Sequence, residues 1–588
     1  MNSLLVCIPA LVFGFADVDP AVDARFEAIG KRYIEQFPAL SPAGATVLGD
    51  HRYDGQLDDV SAQSRDKAVK FYSGVLADLR GIDRAKLSRA NQVDFEILEQ
   101  SLRGDVWRLE TLQDWAWNPL VYTELAGGSI YGLMAREFAP LSKRLEHVAS
   151  RLEQFPRMLE QVRGTLVPKR VPPIHATTAV QQNKGVLSIL ANMVEPNVGQ
   201  LAPAEQQRMR QALITARKAV DDHQKWLEKE LVPNAGGDFR LGAKLFDQKL
   251  PFTLQTPLSR QQIRDRAESE LRRVRAEMYG IAKEVYRKKH PYTEFPAEPS
   301  KEFQQAIIRA GLELACKDVP PADLLVERAK ESLVETADFI REKDLMTLPT
   351  DPLDIIIMPE FQRGVSTAYC DAPGALDKGQ KTFYAVAPLP ADWNAGQIES
   401  YLREYNTRSL HNLTVHEAMP GHYVQLVISN RYPSTLRAVL SSGTFTEGWG
   451  CYAEQMMANE GYFHGDPLML LVQRKWYLRA IANSILDQAI HVDGMNRDEA
   501  MKLMIEETFQ EEREAAGKWV RAQLTSTQLS TYFVGVQEHL DLRRDAERRW
   551  GKEFTKRRYH DQVVSFGSPP VRFVRALMFD LEIPRIGE

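Results

Sequence analysis

Apolar residues recur at three- and four-residue spacing along most of this chain, the period of a helix with one face turned to a core. From Ala21 to about Leu250 the pattern is helical almost throughout, clearest over 64–80, 86–103, 140–165 and 203–231. The alternation that marks half-buried strands is nearly absent there. Pro and Gly clusters punctuate the helices: Ala126-Gly127-Gly128-Ser129, Val171-Pro172-Pro173 and Pro233-Asn234-Ala235-Gly236-Gly237 read as turns. A lobe boundary falls shortly after the last of them, giving a helical N-terminal lobe over 17–250 and a second lobe over 251–588.

Beyond the boundary, 259–289 reads as one long charged helix, and 301–316 and 323–343 keep the same period. Between Pro352 and Pro390 the texture changes to short β-branched and aromatic runs, LDIIIM at 353–358, STAYC at 366–370 and KTFYAVA at 381–387. These predict a small sheet inside a helical protein. Helices resume near Asn394 and continue, with a break at 430–443, to the region of Arg558. The expected fold is mainly α and two-lobed, with the small sheet at 353–387.

Composition changes this picture little. A chain of 588 residues exceeds the size at which one core stops growing, so it has room to surround a deep site. The net charge of -5 comes from 74 basic and 79 acidic residues without long runs of one sign, and nothing in it asks for nucleic acid. The apolar opening MNSLLVCIPALVFGFA is too short to span a bilayer. It reads as a secretory signal over 1–16, with Gly14 and Ala16 as small residues for cleavage, although no Lys or Arg precedes it. A mis-assigned start and a buried N-terminal segment are the other readings. A periplasmic or secreted protein with no integral membrane segment after signal removal is expected, the cytoplasm being the alternative. Cys316, Cys370 and Cys451 contain no CxxC pair and imply neither a disulfide framework nor a zinc ribbon.

Candidate chemistry is concentrated in HNLTVHEAMPGH at 411–422, which holds three of the chain's twelve histidines. Counting back from His416 at helical spacing meets Asn412, Ser409, Tyr405, Leu402 and Ile398, which places His416 on the buried face of a helix. A buried His followed by Glu opens an HExxH-type zinc site, where two imidazoles coordinate the metal and the Glu acts on the bound water. Here the second histidine, His422, lies six residues on instead of four. On a regular helix positions six apart point about 120° away from each other and cannot share an ion. Pro420-Gly421 lies between them and can supply a bulge that absorbs the two extra residues. Catalytic zinc commonly takes three protein ligands. The best third candidate is Glu447, in GTFTEGWGCYAEQM at 443–456, a helix whose apolar stripe is Phe445, Trp449, Tyr452 and Met456. Glu454, on the face of Glu447 and Cys451, can hold a ligating histidine by hydrogen bonding. His411 lies outside the pattern and reads as a surface or core histidine. Taken alone, an HE pair in a helix is more often core packing than a metal site.

HEAMPGH at 416–422 and FTEGWGCYAEQM at 445–456 resemble the bacterial domain-of-unknown-function family 885, whose members are similar to helical zinc metallopeptidases of the gluzincin type. Further matches are RAIANSILDQAIHVDGMNRDEA at 479–500, QLSTYFVG at 528–535 and GSPPVRFVRAL at 567–577, so the resemblance covers most of the chain. It implies a metallopeptidase-like fold with Zn2+ on His416, His422 and Glu447, and Glu417 as the base. It also points to Tyr532 as a hydroxyl for the oxyanion. The family's stretch ahead of that tyrosine begins Pro-Gly before the Gln, and here Ser526-Thr527 stand in that place. His491, four residues after Asp487, is a candidate second polar group in the cleft; a packed structural role is the competing reading for both it and Tyr532. The implied activity is a zinc-dependent peptidase acting on oligopeptides. A zinc amidase for a modified or non-peptide amide, and a non-catalytic peptide-binding protein, are the alternatives.

Overall fold

A computed structural model describes residues 18–358, 368–390 and 393–586, so the expected signal at 1–16 lies outside the described residues. The protein is mainly helical with one three-stranded sheet. The long helices start where the chain supplies a cap. Ser61 and Ser88 accept backbone N–H groups to open Ala62–Leu79 and Arg89–Trp107, and Ser259 with Gln262 forms a capping box for the thirty-residue helix Arg260–Lys289. That last helix stops at His290, just before Pro291.

Two large cores lie on either side of the turn at 235–238. One runs from Leu57 to Leu231 and is built mainly by Leu141–Thr165 against Pro203–Trp226. The other runs from Phe246 to Val574 and gathers Arg260–Lys289, Gly443–Asn459, Pro467–Gln488 and Ser530–Trp550. The helices at the start of the chain join neither. Phe26, Tyr33, Val75, Leu79, Leu98 and Leu102 make a smaller core with Leu436, and the buried Arg437 guanidinium is 2.6 Å from Asp94. Much of 20–36 and 71–102 therefore packs apart from the core of the lobe that follows, to which Leu57 belongs.

Ala126-Gly127-Gly128-Ser129 is not a turn. It lies inside the helix Leu120–Met134. A Cβ on Gly127 would already touch Ile189 at 3.4 Å. Small residues here let two helices approach, and that packing overrides the low helix propensity of glycine. The other two clusters do mark helix boundaries. The chain leaves helical structure at Ala235, and Val171-Pro172 precede the helix Pro173–Ile189.

The sheet has β1 (Leu353–Ile357), β2 (Ala368–Asp371) and β3 (Thr382–Val386), with β3 central, parallel to β1 and antiparallel to β2. Ser366 and Thr367, read as part of the second strand, lie outside the described residues. Tyr384 and Val386 of β3 pack with Leu410, Leu413 and Ala418. The sheet is thereby fixed against the helix that carries the HE pair, with β2 as an edge strand. From the N-terminal half, Arg136 donates to the Asp371 carboxylate at 2.6 Å and to the carbonyls of Asp371 and Ala372 at 2.8 Å. Among the described residues no helix is long and apolar enough to cross a membrane.

Candidate metal centre

Asn406 caps the helix Thr407–Glu417 through the N–H groups of Arg408 and Ser409. This start divides the run of positions counted back from His416, because Ile398 and Leu402 belong to a separate helix, Ala395–Glu404. Every residue from Ser409 to Glu417 is buried, so this helix has no solvated face. It ends at Glu417, and a new helix, His422–Ser429, begins at the second histidine. The spacing is therefore accommodated by a full break in the helix and not by a bulge. The break needs glycine: a Cβ on Gly421 would fall 1.9 Å from the carbonyl oxygen of His416 and 2.3 Å from that of Val415. Trp449 pins the turn by donating Nε1–H to the Pro420 carbonyl at 2.9 Å. Across the break the two imidazoles converge, with ring centres 4.6 Å apart and planes at 84°.

Glu447 comes from the helix Gly443–Asn459, capped by Ser442. One of its carboxylate oxygens lies 3.7 Å from His416 Nε2 and 3.6 Å from His422 Nε2. Those separations exceed a hydrogen bond. They approach the spacing of about 3.4 Å expected between two atoms that each sit 2.0–2.1 Å from one tetrahedral zinc. The donor set of two imidazoles and a carboxylate fits that ion. A second group, His416 with Cys451 and Glu454, shares a histidine with the first. There His416 Nδ1 is 2.6 Å from Glu454 Oε1, a hydrogen-bond distance that leaves no room for an ion. Glu454 also accepts from Asn412 Nδ2 at 2.8 Å. This pairing fixes the ring of His416 and turns Nε2 toward Glu447.

Burial favours a neutral Glu447, but the two histidines beside it outweigh that and hold the carboxyl well below the usual range. His416 moves the other way from its ordinary value: burial opposes its charge, and contacts with Cys451, Glu447 and Glu454 carry it well upward. Close packing sets these positions. A Cβ on Gly450 would reach 2.7 Å from the His416 ring, and one on Gly448 would reach 2.3 Å from Gly535 of the helix Ser530–Trp550. The glycines let that helix approach closely enough to bring Tyr532 in.

The Glu417 carboxylate accepts the backbone N–H of Cys370, on the outer edge of β2, at 3.0 Å. Tyr532 OH is 3.2 Å from Arg521 Nη2. Burial raises the tyrosine's pKa and the Glu447 charge adds to that rise, whereas Arg521 and His416 oppose it, so the phenol lies within the field of the cluster. Sequence reasoning missed Arg521 and the Cys370 amide, and named Asn412 only as a buried-face position. Only Asn412, one helical turn before His416, carried a periodic signal.

His491 is placed elsewhere. Its Nε2–H donates to the carbonyls of Ala522 and Thr525 at 2.9 and 2.7 Å, and its ring packs between Phe239 and Phe246. Burial pushes its pKa down against the pull of Asp487. The candidate cleft role is replaced by a structural one, which ties down the segment ahead of Tyr532. Asp487 holds the same segment, accepting from Thr527 N at 2.8 Å and from the Ser530 hydroxyl at 3.1 Å. Thr527, at the place of the family's glycine, keeps a left-handed φ of 64°. A β-branched residue is strained there. The Asp487 contact and a 2.7 Å bond between the Thr527 and Thr253 hydroxyls hold it in place. His411 is a core residue whose Nδ1 lies 2.8 Å from Tyr462 OH.

Residues 42–578 match the model of a family described as bacterial protein of unknown function, DUF885. The chain belongs to this family. Among solved structures, a candidate lipoprotein of unknown function from Shewanella oneidensis is similar at 33% identity and a TM-score of 0.79, covering 94% of this chain and 99% of that one. A candidate lipoprotein from Colwellia psychrerythraea shares the fold at 16% identity and a TM-score of 0.74, covering 95% and 98%. No curated protein matches this DUF885 chain.

Proposed function

We propose that this DUF885 protein is a zinc-dependent peptidase that hydrolyses oligopeptides. The observation that carries the reading is the convergence of His416 Nε2 and His422 Nε2 on one oxygen of Glu447, at 3.7 and 3.6 Å. Glu417, the residue after His416, lies beside that cluster with its carboxylate directed to β2. His416, His422 and Glu447 would hold the ion, and Glu454 with Asn412 would orient the first of them. Zinc bound there would lower the pKa of a water and polarise a carbonyl.

Glu417 would take a proton from the attacking water and return it to the leaving amine. The Tyr532 hydroxyl, kept protonated by its burial, would donate to the developing oxyanion. The outer edge of β2 offers backbone groups to an extended peptide, and Arg136 anchors that strand from behind. The descriptions of the two similar structures as candidate lipoproteins support a place in the cell envelope, periplasmic or secreted.

The test combines elemental analysis of the purified protein with cleavage of a mixed oligopeptide library, with and without chelator. About one zinc per chain and chelator-sensitive cleavage are expected. Zinc without cleavage favours an amidase or a peptide-binding protein. Failure to take up zinc removes the three-ligand assignment.

A further inference from the structure

The helix Glu512–Leu524 leads directly to the Tyr532 segment, and Glu514, Lys518 and Arg521 share one of its faces at i, i+4 and i+7. Glu514 is already engaged: Arg479 Nη2 lies 2.5 Å from it and Tyr405 OH donates to it at 3.3 Å. Lys518 is only 8% exposed, and its nearest acid is that same Glu514 at 3.9 Å. Its Nζ makes no hydrogen bond among the described residues, and the charges of Arg479 and Arg521 act on it. Burial, reinforced by those two charges and opposed by Glu514, pushes the Lys518 amine down to about 7. Arg521, half-buried, donates to Tyr532 OH at 3.2 Å and to Gln528 Oε1 at 3.1 Å. Both partners are neutral, and Glu447 and Glu514, whose charges favour the guanidinium, form no ion pair with it among the described residues.

Two cations three residues apart thus share one helix face, one without a hydrogen bond and the other bound only to neutral groups, and the second of them reaches Tyr532. A buried charge with an inadequate partner is costly, and a ligand carboxylate entering between them would remove that cost. A guanidinium presents a fork that matches a carboxylate, and an ammonium adds a point charge. We infer that Lys518 and Arg521 form a subsite for the free C-terminal carboxylate of a peptide substrate. This rests on the peptidase reading and narrows its substrates to chains held by their C-terminal end. Every oligopeptide carries that group, whereas an acidic side chain would restrict the substrates by sequence.

The test uses peptides of one sequence in free-acid and C-terminal amide forms, and an amide ending in glutamate, with the zinc-loaded full chain and its K518M and K518R variants. Thermal unfolding confirms that each variant is folded. The wild type is expected to prefer the free acid on the order of 100-fold in kcat/KM, chiefly through KM. In K518M the acid-to-amide ratio falls toward one, and in K518R most of it returns. Equal cleavage of acid and amide by the wild type overturns the subsite and leaves the peptidase reading intact. A glutamate amide cleaved as well as the free acid overturns its assignment to the C terminus. If no peptide is cleaved, calorimetric binding of the same peptides decides. An acid preference lost in K518M then upholds the carboxylate site while the peptidase reading falls, and equal binding overturns the site.

Discussion

Between Leu57 and Leu231 the buried cations serve the main chain. Arg151, fully buried, donates to the carbonyls of Gln56, Ser129 and Pro42 and to the Thr46 hydroxyl, and Arg144 donates to those of Leu133, Met134 and Ala139. Between Ser409 and Glu454 the buried polar groups serve one another, as in the sequence Asn412 to Glu454 to His416, with Glu447 facing two histidines. The first arrangement ties helix connections to a core and can be satisfied completely. The second aims several side chains at one point, and the proposed zinc site rests on that convergence. Buried polarity alone does not mark a functional site; the direction in which the polar atoms face does.

That contrast can be broken from either side. Glu417→Gln should lower turnover on the order of 1,000-fold with zinc content unchanged, read by steady-state kinetics and elemental analysis. Near-normal turnover would remove Glu417 as the base. Arg151→Met removes a donor shared by four neutral acceptors and should cost about 3 kcal/mol or more in urea unfolding, with zinc uptake by the folded protein unchanged. Glu454→Gln should weaken zinc binding by about 10- to 100-fold, measured by competition with a chelator, because the ring of His416 loses its orienting carboxylate.

Acid should affect both regions together. Burial pushes His175 and His223 in the first core, and His411 and His539 in the second half, down to about 4. The folded pKa lies below the unfolded value near 6.5, so the unfolded chain binds protons first. Stability is full above that value and is lost as pH falls toward 4, by on the order of 1 kcal/mol or more per histidine, read from unfolding curves across that window. The smallest effect sharpens the reading of the first half: Gly128→Ala, in open space within a helix, should stabilise by about 0.5–1 kcal/mol.

The helical character, the place of the small sheet and the conspicuous residues of the motif were legible because each leaves a periodic or local trace. The strands appeared as β-branched runs, and the long helices as apolar stripes. Helix 120–134 was not legible, since Gly127 and Gly128 signal a turn until Ile189 is known to pack against them. His491 looked like a polar residue available for chemistry until the carbonyls of Ala522 and Thr525 claimed its proton. Arg521 carried no motif at all, and its contact with Tyr532 became visible only when two helices were brought together.

By itself the sequence determined a mainly helical protein with a short sheet, the HE pair, and a six-residue histidine spacing that no regular helix can serve. These are consequences of periodicity and of the chemistry of Pro and Gly, which act over a few residues. Tertiary structure alone decided that the helix breaks completely at 418–421, that Glu447 faces both imidazoles, and that the N–H of Cys370 on an edge strand meets Glu417. Residues 370, 417, 447 and 532 are distant along the chain, and their meeting depends on glycine contacts such as Gly448 against Gly535. A local pattern cannot encode such a contact, because its energy exists only once both surfaces are folded.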